Sequence, residues 1–350
     1  MPSTDLAVVS ARPQLTVDGQ ATPALQGAVQ ALAIHLPADG MAHAELTLAN
    51  WGVQADGAPG FAFNHLRLGS RLGIQWGDQP GGFEGEITAL EERYGDGPPR
   101  LLLLAEDALH RLARQRGSRS WEAMSLDGLL QQAAEGAGLQ ADVQVDGATR
   151  DWLQHNESAL AFLRRLLAPL AVPLRLQDGK LWARPEAADA QPLTLDAGGN
   201  ASQVRLIADL AQQPQATVAQ GFDLAAGEPL RASASALQPA PAGDTAGRQL
   251  RQLGWGGEAI RPHPVPRDQA QAQALADGHL RQLASRFIHG EIVCVGATGL
   301  RGGREITLTG VSPRLAGRYR VADCWHHFNN QQGLTTRLQV QRPDWPGGNP

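Results

Sequence analysis

The stretch DCWHHF puts Asp323, Cys324, His326 and His327 within five positions, all side-chain types that bind metals. Zinc needs three or four such ligands converging on one point. On a strand, Cys324 and His326 share one face and His327 takes the other. His263, His279 or His289 would have to complete a site, and no spacing points to them. These residues read best as a half-buried strand with polar residues outward. The second candidate is Glu106-Asp107, where a strand gives way to a helical pattern. The two carboxylates could act as acid and base, or Asp107 could start a helix near Ala108, where free N–H groups favour a carboxylate.

Other chemistry is sparse. His35, His43, His65, His110 and His155 are scattered without ligand spacing, and G-x-S-x-G, H-E-x-x-H and Walker-type patterns are absent from the sequence. GLRGG and LGWGGE lack the G-x-G-x-x-G order and read as loops. Asn156 and Asn200 sit in N-x-S sequons, which matter only in a chain that is glycosylated. The eight tryptophans are spread over the chain rather than gathered into a sugar platform.

Composition limits the classes. The 350 residues are 42% hydrophobic and 19% charged, a globular balance with room for one to three domains. A net charge of −5 disfavours a dedicated nucleic-acid binder. Two cysteines, Cys294 and Cys324, form no disulfide framework. No leader peptide and no membrane-length apolar run is expected.

The elements that must position these residues are mostly strands. PQLTVDG, AHAELTLAN and LRLGSRLGIQWG alternate apolar and polar residues, with Leu72, Ile74 and Trp76 on one face. GGFEGEITALEE places Ile87 and Leu90 inward, YGDGPPR is a turn and LLLLA a buried strand. AEDALHRLARQR then has helical spacing at Leu109, Leu112 and Ala113. A helix follows, capped by Ser125 or Asp127, with Leu126, Leu129, Leu130 and Ala133 inward and Gly136 or Gly138 at its end. Another is opened by Asn156 or Ser158, with a stripe at Leu160, Leu163, Leu167 and Leu170. PLRLQDGKLWARP reads as a hairpin on its Asp-Gly turn. Residues 225–265 read as an irregular excursion, 267–288 as a helix carrying Leu275, Leu280, Leu283 and Phe287, and four strand-like stretches follow. PDWPGGNP is expected to have no structure of its own.

Two stretches match. Both 68–105 and 300–341 run through a strand, a turn, a strand, a polar Gly turn and a final strand. Leu72 and Ile74 fall against Ile306 and Leu308, and Phe83 against Tyr319. This suggests a duplication.

The succession AED-x-L-x-RL, SRSWEAMSLDGLLQQAAEGAGL, WLQHNESALAFLRRLLAPLAVPLRLQDGKLWARP and GGREITLTG…AGRYRVADCWHHFNNQQGLTTRLQVQRP resembles the phage late control D group of contractile-tail hubs. That group is related to the hub part of the VgrG spikes of type VI secretion. The resemblance spans nearly the whole chain. It implies a β-dominated α+β fold: two related antiparallel β-barrels, with an inserted small α/β unit and a helix. The expected domains are 1–106, 107–190 and 191–342, with 343–350 a tail.

It also implies a structural baseplate hub, a homotrimer that adapts a sixfold tail tube to a threefold spike. No enzyme activity, cofactor, metal or membrane insertion is implied. The sequence continues into no spike domain, so the spike is expected to be a separate trimeric protein. The other partners are the tail tube protein and further baseplate proteins. The chain would be made in the bacterial cytoplasm and assembled into a tail or injection particle. On this reading Asp107 is a helix cap. The alternatives are a tail-associated glycan hydrolase or peptidase, or a carbohydrate-binding module.

Overall fold

The structure, a computed structural model, describes residues 12–53, 57–76, 79–95, 97–145 and 147–345. The start of the chain and the end of PDWPGGNP, on which two of the sequence expectations fall, lie outside these residues.

Alternating sequence makes twelve principal strands. In the first half they are β1 (Gln14–Val17), β2 (Val29–Pro37), β3 (His43–Ala49), β4 (Arg71–Trp76), β5 (Gln79–Arg93) and β6 (Arg100–Glu106). In the second they are β7 (Leu193–Asp196), β8 (Ala201–Ala208), β9 (Ile288–Val295), β10 (Glu305–Thr309), β11 (Gly317–Asn329) and β12 (Gly333–Arg342). All belong to one thirteen-stranded sheet, whose remaining member is the two-residue strand Gln20–Ala21.

The halves have the same strand order. The first runs β2-β3-β6-β5-β4-β1 and the second β8-β9-β12-β11-β10-β7, a shift of six in every place. Only the last pairing differs: β1 is antiparallel to β4, whereas β7 is parallel to β10. The registers also correspond. Glu86 lies opposite Arg71 and Glu106, and Arg320 opposite Glu305 and Gln341. His43 faces Glu106, and His289 faces Gln341. The irregularities repeat too. Extra residues fall at Gln30 and Ser202, and again at Thr88 and Ala322. Such bulges are built-in features of a strand, and both recur at equivalent places. Gly69 and Gly303 even make the same bonds, donating at 2.8 Å to the carbonyls of Ile87 and Val321.

Leu72 and Ile74 therefore do match Ile306 and Leu308. Phe83 does not match Tyr319: the registers put Gly85 there. The Phe83 ring leans over that glycine, so close that a Cβ on Gly85 would lie 2.5 Å from its Cζ.

Each half encloses its own core. Leu15, Leu72, Ile74 and Trp76 from one end of the first sheet meet Ile34, Leu46 and Leu103 from the other. In the second half Leu195, Ile306 and Leu308 meet Ile288, Ile292 and Leu338. Strands from opposite ends of an order share a core only if the sheet curls round it. The halves join where β11 pairs antiparallel with β2, from Asp323 opposite Pro37 to Asn329 opposite Ala31.

A third core lies between the halves in sequence. Helix α1 (Leu126–Gly136) is capped by Ser125, whose hydroxyl accepts from Gly128 N–H at 3.1 Å. Asp127 instead accepts from Val145 N–H at 2.7 Å. Helix α2 (Ala159–Leu167) is capped by Ser158, with Asn156 outside it at φ +46°. Ala134 is buried in α1 rather than Ala133. Asp178 and Gly179, both at positive φ, turn the expected hairpin of Arg175–Gln177 and Lys180–Ala183. An unexpected antiparallel pair, Arg116–Met124 with Arg150–Ser158, precedes α2.

Residues 225–265 are more regular than expected. Glu228–Ala234 completes a hairpin with Ala216–Asp223, and Glu258–Arg261 joins it in parallel. Between them α3 (Ala246–Leu253) is capped by Thr245. Helix α4 (Gln269–Ala284) packs Ala272, Leu275, Ala276 and Leu280 on this small sheet. Asp344 and Trp345 pair with Thr245 and Asp244, correcting the expectation that PDWPGGNP has no structure.

Candidate assembly interface

The strand alternation at DCWHHF holds, but the expectation that its polar residues point outward is corrected by His326, which is fully buried. Cys324 and His326 face the core and His327 the opposite side. His326 is fully buried and doubly bonded. Its Nε2–H donates to Leu300 carbonyl at 2.9 Å, which leaves Nδ1 to accept from the Thr336 hydroxyl at 2.9 Å. Burial pulls its pKa down to about 4, so the ring is neutral. Burial also pushes the Cys324 thiol well up. Asp323 bonds His35 instead, at 2.9 Å. Among the described residues no cluster of three His, Cys, Asp or Glu could hold a metal.

Asp107 is buried and bound by the backbone. Its Oδ2 accepts from Ala42 N–H at 2.8 Å and its Oδ1 from Leu109 N–H at 2.9 Å. The helix itself begins later, at His110. Asp107 thus closes the turn before the helix and ties it to the start of β3, a correction to the expected cap at Ala108. Burial raises its pKa to about 6, against the pull of those two N–H donors. Glu106 lies in β6 opposite both His43 and Glu86. The acidic pair is divided between a turn and a sheet.

What the fold does build is a junction. At β11–β2 the Trp325 ring stacks on His35, centroids 4.7 Å apart and planes 7° off parallel. His43 meets His35 edge-on at 5.1 Å, and the Arg337 guanidinium lies 5.7 Å from the Trp325 centroid. On the core side Phe328 and Leu334 enter the core of the first half. Phe328 packs 6.1 Å from Trp76.

Two edges are left over. The outer edge of β8 corresponds to the edge of β2 that meets β11. Beyond Ile87, the outer edge of β5 corresponds to the edge of β11 that meets β2. Neither has a strand partner among the described residues. Their core-facing side chains are uncovered. Cys324 is 0% exposed, but its counterpart Leu90 is 37% exposed; Phe328 is 5% exposed, its counterpart Tyr94 61%. Val204 and Leu206 are half-buried where Leu32 and Ile34 are fully buried. Beside β8 lies a groove of about 560 Å³ whose lining includes Val204, Leu206, Val311 and Leu315. The equivalent space in the first half holds Trp76 and Phe328, and the position matching Trp76 is Gly310.

The sequence carries a further signal for this repeat, outside 68–105 and 300–341. HAELTLA of β3 and HGEIVCV of β9 align residue for residue, with His43 on His289 and Glu45 on Glu291.

These features define a β-dominated α+β protein built on a duplicated sheet. A family model described as the Alg8 N-terminal domain matches residues 8–330, and the chain belongs to that family. That description differs from the late control D group that the sequence resembles. No curated protein matches. Among solved structures, the fold is that of phage tail proteins. A 43 kDa tail protein of prophage MuSo2 from Shewanella oneidensis superimposes with a TM-score of 0.70 at 14% identity, over 95% of this chain and 98% of that one. A tail protein from Neisseria meningitidis gives 0.67 at 12% identity, over 95% and 96%. An Escherichia coli component of the type VI secretion system, described as similar to bacteriophage T4 tail proteins, gives 0.55 at 10% identity, over 96% and 79%. No helix among the described residues is long and apolar enough to cross a membrane.

Proposed function

We propose that this chain is a structural hub of a contractile tail or related injection particle, working as a homotrimer between a sixfold tube and a threefold spike. The observation that carries this reading is the matched order, register and bulging of the two halves. A sixfold tube ends on six similar surfaces, and three chains supply six only if each carries two. Closed rings of identical contacts are the ordinary solution for such an assembly. The segment before residue 106 and the segments after 192 serve as the two quasi-equivalent units, and 107–190 stands outside the ring. The role is structural rather than enzymatic, a reading supported by Glu106 and Asp107 sharing no site and by the tail proteins with this fold. Tube, spike and other baseplate proteins are the partners, and the particle is the final location.

The test is fractionation of assembled particles. The chain should co-purify with tube and spike in a ratio of three copies to one trimeric spike. Particles that lack it yet still join spike to tube would overturn the proposal.

A further inference from the structure

The internal junction specifies an external one. We infer that β8 of one copy adds, antiparallel, to β5 of a second copy, with Ile207 opposite Glu91, Val204 opposite Tyr94 and Leu206 opposite Glu92. This rests on the trimeric reading above and gives it a register.

The argument is a transfer of pairing. Trp325 lies opposite His35 and Phe328 opposite Leu32. The β2–β3 and β8–β9 registers equate His35 with Ile207 and Leu32 with Val204. The β5–β6 and β11–β12 registers equate Trp325 with Glu91 and His327 with Arg93, the shared bulges keeping the count, and one residue further, just past the end of β5, Phe328 falls on Tyr94. Replacing each residue of the internal junction by its equivalent yields the external pairs. The Ala38 N–H that caps the internal junction on Ala322 carbonyl at 2.9 Å becomes Leu210 on Thr88 of the neighbour.

The surfaces fit the transfer. An unpaired strand edge is a template for another strand, and neither edge has a strand partner among the described residues. Phe328 fills the first core, so Tyr94 is positioned to fill the groove beside Val204, where Gly310 replaces the bulk of Trp76. Tyr94 is exposed and edge-on to the half-buried Phe61, which in turn meets the exposed Trp51. Leu90 would be covered at the Cys324 position. Glu92 takes the place of the buried His326, and the Tyr94 hydroxyl donates to its carboxylate. Arg205 falls opposite Arg93, an unfavourable pair taken alone. Glu91 bonds Arg93 at 2.6 Å and lies diagonal to Arg205 on the same face, which offsets it. A one-residue slip would turn Tyr94 and Leu90 away from the groove.

The experiment is cross-linking of the full chain carrying Ile207→Cys and Glu91→Cys. Mild oxidation should produce a covalent ladder ending at three chains on a non-reducing gel. Ile207→Cys with Arg93→Cys, two residues out of register, should stay uncoupled. Cys294 and Cys324 are buried and do not compete. Alongside, Tyr94→Ala should weaken trimerisation about tenfold or more while leaving the monomer folded. A trimer that fails to couple, that couples in the Arg93→Cys pairing instead, or that tolerates Tyr94→Ala overturns this register and leaves the hub reading standing. A chain that stays monomeric at all concentrations overturns both.

Discussion

Trp325 lies flat on His35, ring centroids 4.7 Å apart, and in doing so joins residues 290 positions apart in sequence across the boundary between the two halves of the sheet. The stack is on the face away from both cores. It is braced by Asp323 on His35 Nε2 and by Arg337 near the indole. The junction therefore has an aromatic layer on one side and the Phe328 plug on the other. Trp325→Ala should cost about 2 kcal/mol, the loss of an aromatic pair plus buried ring area. Urea unfolding of the variant measures it. A midpoint like that of the wild type would mean the halves are held by the backbone ladder alone.

Gly290 and Ala44 are equivalent residues that do not tolerate the same side chain. A Cβ on Gly290 would sit 1.9 Å from the Arg205 carbonyl oxygen and 2.8 Å from Leu206 Cα. Strand β8 approaches β9 too closely there for a methyl group. Gly290→Ala should cost roughly 1–3 kcal/mol, as overpacking does, and displace β8. Unchanged thermal unfolding would contradict the close approach.

Asp107 makes stability fall as pH rises. Its carboxyl has pKa about 6 in the folded chain against an ordinary 3.8. The folded state therefore binds more protons than the unfolded state between those values, and stability is lost as pH climbs from about 4 through 6. The full effect is about 3 kcal/mol at most. Asp107→Asn should abolish this pH dependence, and it leaves one of the two N–H donors without its oxygen, costing about 1–3 kcal/mol. Thermal melts of both proteins from pH 4 to 7 supply the comparison. Parallel curves would refute the raised pKa.

His326 acts in the opposite sense over nearly the same range. Its pKa is depressed to about 4 from 6.5. The unfolded state then binds more protons between these values, so this contribution grows as pH rises through the window and is complete above about 6.5. The two effects partly cancel in the wild-type chain. Proton NMR should find one histidine ring titrating near pH 4. A His326 signal that moves near pH 6.5 would contradict the neutral, doubly bonded ring.

Much of this is legible in the residues. Alternation locates β3, β4, β11 and β12, and Asp178-Gly179 announces its hairpin. Leu90 reads as a buried residue but is exposed: the bulge at Thr88 puts it on the same face as Ile87, on an edge with no strand beside it among the described residues. The bulge itself leaves no mark in the sequence, so neither does the shared face. Within the small sheet at 216–261, Glu228–Ala234 escapes a sequence reading because its alternation rests mostly on small alanines, and Glu258–Arg261 because it is short and pairs in parallel with a strand some forty residues back. The duplication is half visible. Leu72 and Ile74 find their partners, but aromatic matching sets Phe83 two residues out of place because its ring leans over Gly85. The H-x-E of β3 and β9 is the cleaner signal. Open edges at β5 and β8 can only be read from burial, since Leu90 and Val204 look in sequence like any core residue.

The central claim is that two matched halves per chain close into a ring of three. Native mass spectrometry of the purified full chain tests it most directly. The chain is 37.2 kDa. The account predicts a species three times that mass, about 112 kDa, with no open-ended series of higher oligomers, because a closed heterologous ring leaves no free edge. A monomer at every concentration, or a closed dimer, would contradict it.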